Sequence, residues 1–147
     1  MLTTLNGRIQ TRILALGVIG FIVALIITPV LPTGSLTIGQ AYRVTLSVLL
    51  ATIIVGVLWE LLYHFLQQFR WEKDWPTMFG LLTIINEGAL MWVLVHNTTI
   101  VLPRALHPSL TAFLIQFIVT WIVFWVIVNG PLRLMFHRWR FQGGRFL

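Results

Sequence analysis

The stretch VTLSVLLATIIVGVLWELLYHFL, residues 44–66, decides the fold. Its 23 residues carry one carboxyl, Glu60, and one imidazole, His64, and no lysine, arginine or aspartate. At 1.5 Å rise per residue a helix of that length covers the roughly 30 Å hydrocarbon core of a bilayer. Three further stretches read the same way, at 13–31, 78–102 and 109–132. Their lengths of 19, 25 and 24 residues also fit a membrane crossing. The other 56 residues fall into pieces of at most 15, too short for a self-standing soluble domain. The sequence therefore predicts a single transmembrane domain over 1–147, an all-α integral membrane bundle of four transmembrane helices.

Composition points to the same solvent. Hydrophobic residues make up 58% of the 147, mean hydropathy is +0.90, and only 10% of residues are charged, against about 25% in an ordinary soluble domain. A disordered chain would be polar and charge-rich. The absence of cysteine removes disulfide scaffolds, thiolate metal sites and cysteine nucleophiles. The first stretch is too long for the apolar part of a signal peptide and is followed by no small-x-small cleavage site, so it is expected to be retained.

Span ends have physical markers. Arg8 and Arg12 precede the first stretch, and Pro29 and Pro32 end it, because proline cannot continue a helix ladder. Asp74 with Pro76 reads as an N-cap and first turn. Pro103 closes the third stretch, Pro108 with Ser109 opens the fourth, and Asn129-Gly130-Pro131 ends it. With both termini inside, Arg8, Arg12, Arg70, Lys73, Arg133, Arg138, Arg140 and Arg145 lie on the inner side, against Arg43 and Arg104 outside. That bias predicts an N-in/C-in orientation. The net charge of +6 is then a topology signal with anionic lipid as its counter-charge, and nucleic acid is not an expected partner.

Polar groups inside hydrocarbon are costly and each needs a reason. Thr52, Gly56, Glu60 and His64 recur every four residues and share one helix face. Gly80, Thr83, Glu87 and Met91 do the same on the third stretch, with Asn86 beside them. By helical rise Glu60 lies roughly 7–8 Å and Glu87 roughly 4–5 Å inside the midplane, so the two carboxyls could meet. One reading makes each a protonated carboxyl that donates a hydrogen bond within the bundle. The other makes Glu60, His64, Asn86 and Glu87 an intramembrane polar or proton site. A two-metal carboxylate site would need Glu-x-x-His, whereas the spacing here is Glu60-x-x-x-His64. His64 and His96 fall at opposite faces, so they cannot clasp one haem. No cofactor is expected. Gln116 and Thr120, four apart, are expected to line the polar interior of the bundle, the alternative being that they face a partner protein.

Seven tryptophans is many for this length. Trp71, Trp75 and Trp139 fit an interfacial belt. Trp59, Trp92, Trp121 and Trp125 lie deeper. Phe113, Phe117, Trp121 and Trp125 form a stripe read as facing lipid or another transmembrane chain. Trp71, Lys73 and Trp75 in the inner loop, and Arg138, Trp139 and Arg140 in the tail, are further candidate contacts for partner proteins or anionic lipid. No catalytic or phosphate-binding motif is complete. The expected function is a non-enzymatic structural or assembly subunit of a larger membrane complex, with other membrane subunits as partners. The alternative is a small transporter or proton- or cation-conducting component using Glu60, Glu87 and His64. A short chain with few loops suits a bacterial inner (plasma) membrane better than an organelle.

Overall fold

The computed structural model describes residues 4–69, 77–136 and 145, with the backbone alone for 77–79. The described residues are helical, joined by short turns, with no strand among them. Helix α1 runs over Leu5–Val30, α2 over Ile38–Gln67, α3 over Thr77–Asn97, α4 over Leu110–Asn129, and a short α5 over Pro131–Met135. Among the described residues, three segments, Leu5–Val30, Ile38–Gln67 and Leu110–Met135, are long and apolar enough to cross a membrane.

Local chemistry sets the ends. Thr4 caps α1 by accepting from the Gly7 N–H at 3.2 Å. Thr37 and Gln40 form a reciprocal capping box at the start of α2, at 3.3 and 2.9 Å. Ser109 caps α4 by accepting from Ala112 N–H at 3.2 Å. Pro29 sits in the closing 3-10 turn of α1, and Gly130 with Pro131 breaks α4 from α5. Helices α1 and α2 start earlier than the expected span edges at 13 and 44, because charge limits the hydrocarbon-soluble length of a helix but not the helix itself. Helix α3 ends at Asn97, five residues before the expected edge at 102.

Helix α1 packs against α2 and α4, and α3 against the same two. One half of the interior is apolar: Val44 and Val48 of α2, Met91 and Val95 of α3, Phe113 and Phe117 of α4, with Leu102 and Leu106 beneath them. Hydroxyls tie this half. Thr28 Oγ1 lies 2.9 Å from Thr45 Oγ1 and donates to Ala24 O, and Gln116 donates to Thr45 O at 2.8 Å. Gln116 and Thr120 are both buried, as their shared stripe predicted. The exterior is the reverse of a soluble protein: Phe21, Ile26, Ile54, Leu58, Ile85 and Ile122, among others, are exposed.

Candidate functional site

The first helix brings a charge into the other half of the interior. Residues Thr11–Leu16 of α1 form a widened π-helical turn, with α-helix on either side. An inserted turn of this kind rotates the side chains around it and often marks a functional position. Here it sits at Arg12, which is 5% exposed.

Arg12 holds two carboxylates. Its Nη1 donates to Glu87 Oε2 at 2.5 Å and its Nη2 to Glu87 Oε1 at 2.8 Å, a bidentate pair. Its other edge faces Glu60, with Nε donating to Oε1 at 3.2 Å and Nη2 3.1 Å from the same oxygen. The planar guanidinium fork suits this double use, which a lysine ammonium cannot copy. Glu87 is 1% exposed, whereas the Glu60 side chain is 15% exposed and offers one oxygen. The near-equal depths of Glu60 and Glu87 therefore do bring them to one place. Both Glu87 oxygens accept from Arg12, the arrangement of a carboxylate and not of the protonated donor that one of the readings offered.

The seat of the guanidinium is cut for it. A Cβ added to Gly56 would stand 2.6 Å from Arg12 Cδ and 2.8 Å from Cζ, so only glycine leaves room. The helix face of Thr52, Gly56 and Glu60 thus turns inward as its spacing predicted. Trp121 closes the seat from α4, with Arg12 Cζ 5.2 Å from its ring centroid. Its indole N–H donates to Gly80 O at 3.1 Å, which fixes the ring.

The aromatic stripe corrects one expectation. Phe113, Phe117 and Trp121 stack in sequence at 5.5 and 5.8 Å and are buried. Trp121 is therefore unavailable to lipid or a partner chain, because its face roofs the Arg12 seat. Trp125 is half-buried beside Gly80.

Around the triad, Arg8 donates to Gln67 at 2.7 Å, one turn toward the N-terminus. Tyr63 lies within hydrogen-bonding reach of Asn86 and stacks on Trp59 at 5.5 Å. His64 does not join the triad among the described residues. It is half-buried, and its Nδ1 has no hydrogen-bond partner there. His96 lies far from His64: it stacks on Trp92 at 4.7 Å and approaches His107 at 5.9 Å. No three His, Asp or Glu side chains among the described residues are grouped to hold a metal ion. Trp71, Lys73, Trp75, Arg138, Trp139 and Arg140 lie outside the described residues.

Sequence reasoning missed Arg12 by reading it as a flanking charge. The signal was partial: two carboxyls inside the apolar stretches call for a cation, and Arg12 abuts an apolar run, as Arg43 and Arg133 also do. With Arg12 removed from the flanking set, Arg8, Arg70, Lys73, Arg133, Arg138, Arg140 and Arg145 still outnumber Arg43 and Arg104. No known protein family, curated protein or solved structure matches the chain.

Proposed function

We propose that the chain is a four-span, N-in/C-in protein of the plasma membrane, α3 being the remaining span, and that it acts as a non-enzymatic subunit holding other proteins in a membrane assembly. The observation that carries this reading is the triad. Arg12, Glu60 and Glu87 are spent on one another, and the bidentate half of the cluster is closed by Gly56 and Trp121. Such a tie locks α1, α2 and α3 in register, the best-attested use of a buried ion pair. The wide apolar exterior is the surface such a subunit would offer to neighbours and lipid. The basic residues of the inner loop and tail supply anionic-lipid contacts under this reading. Extraction in mild detergent should yield a stoichiometric protein companion. A chain recovered alone under conditions that preserve other membrane complexes would contradict the reading.

A second reading, a proton- or cation-conducting component, is favoured by one feature: two carboxylates face one guanidinium, and the second, Glu60, is partly exposed. Reconstituted protein would then carry a proton or cation flux that Glu60→Gln abolishes. Liposomes with no flux above protein-free controls would remove it.

A further inference from the structure

Helix α3 turns one face away from the bundle. Leu82, Asn86, Ala89 and Val93 are all exposed there, at spacings of four, three and four. That is the seam pattern by which one helix meets a second of the same direction. Asn86 stands one residue from the middle of the 21-residue helix. An amide has two donor hydrogens and two acceptor lone pairs. Tyr63 on α2 is its neighbour within the bundle, and the side chain is otherwise exposed between Leu82, Ile85 and Leu90. In hydrocarbon those open sites cost free energy that no lipid tail can return.

We propose that this face pairs with α3 of a second copy, about a two-fold axis along the membrane normal. The inference rests on α3 crossing the bilayer, part of the function proposed above, and names one partner of the assembly. Such an axis places every residue at the depth of its own copy, so Asn86 meets Asn86. An amide is its own complement, donor to acceptor in both directions. Ala89, one turn on, is small enough to let the two backbones approach. A single asparagine in a seam also fixes register, since a slip would leave both amides unpaired. An unrelated partner helix would need a polar group at the same depth, whereas a second copy brings one by symmetry.

The absence of cysteine makes the test clean. Ala89→Cys, oxidised in native membranes, should give a covalent dimer, and Ile122→Cys on the exposed side of α4 should not. In liposomes the unlinked parent should photobleach in two steps, Asn86→Leu in one step at the same dilution, and Asn86→Gln again in two. A parent that bleaches in one step at every dilution, equal cross-linking at Ala89→Cys and Ile122→Cys, or cross-links only to a different protein would overturn the pairing. A water-soluble maleimide separates the two levels of failure. If it labels Ala89→Cys in intact membranes, the span is wrong and the pairing falls with it. If that position resists labelling while the protein stays monomeric, the pairing alone is wrong.

Discussion

Removing Glu87 attacks the triad where it is strongest. Glu87→Ala deletes both contacts of the bidentate pair, at 2.5 and 2.8 Å, and leaves Arg12 with one oxygen of Glu60 at 3.1–3.2 Å. Arg12 is 5% exposed, so water cannot replace what is lost. Stripping one partner from a buried ion pair costs about 3–5 kcal/mol. At about 1.4 kcal/mol per decade this is a hundredfold or greater shift toward the unfolded state. Glu60→Ala removes a single, partly exposed acceptor and should cost less, about 1.5–3 kcal/mol. Replacing all three at once, with Arg12→Met, Glu60→Gln and Glu87→Leu, leaves no uncompensated charge and should recover most of the loss. The assay is reversible unfolding in mixed micelles, followed by tryptophan emission, which Trp121 reports from 5.2 Å above the guanidinium. A Glu87→Ala protein within about 0.5 kcal/mol of the parent, the scatter of ordinary surface substitutions, would refute the reasoning. So would a triple variant no better than Glu87→Ala alone.

Two glycines separate a shaped seat from mere close packing. A Cβ at Gly20 would stand 2.6 Å from Leu49 Cδ1, the end of a side chain that can turn aside, whereas a Cβ at Gly56 meets the Arg12 guanidinium itself. Gly56→Ala should therefore cost at least about 3 kcal/mol, and Gly20→Ala about 1 kcal/mol, in the same unfolding assay. Trp121→Phe keeps a ring over Arg12 but loses the hydrogen bond to Gly80 O, at a cost of about 1–3 kcal/mol. Trp121→Leu should cost more, and equal costs would deny the ring a role over Arg12. Thr37→Ala opens the α2 capping box and should cost about 1 kcal/mol while leaving the tryptophan environment unchanged.

Much of this structure was legible because periodicity and length are properties of one chain. The face of Thr52, Gly56 and Glu60, the caps at Ser109 and Gly130, and the convergence of Glu60 with Glu87 all follow from spacing and rise. What was not legible depends on which side chain meets which. Arg12 beside an apolar run reads equally as an interfacial charge or as a buried partner, since a long side chain can reach either way. Only its pairing with residues 48 and 75 positions later settles the choice. The stripe from Phe113 to Trp121 likewise reads as lipid-facing or core-facing, because both environments are apolar. Its inward turn shows only in its contacts, Phe113 and Phe117 in the apolar core and Trp121 over Arg12.

The placement of the ends tests the proposed topology most directly, since four spans with the basic segments inside put both termini in one compartment. Each terminus can be fused in turn to a fluorescent protein that matures only in the cytoplasm and to a phosphatase active only outside it. Fluorescence with both fluorescent fusions and inactivity of both phosphatase fusions is the predicted result; a phosphatase active at either end would contradict it.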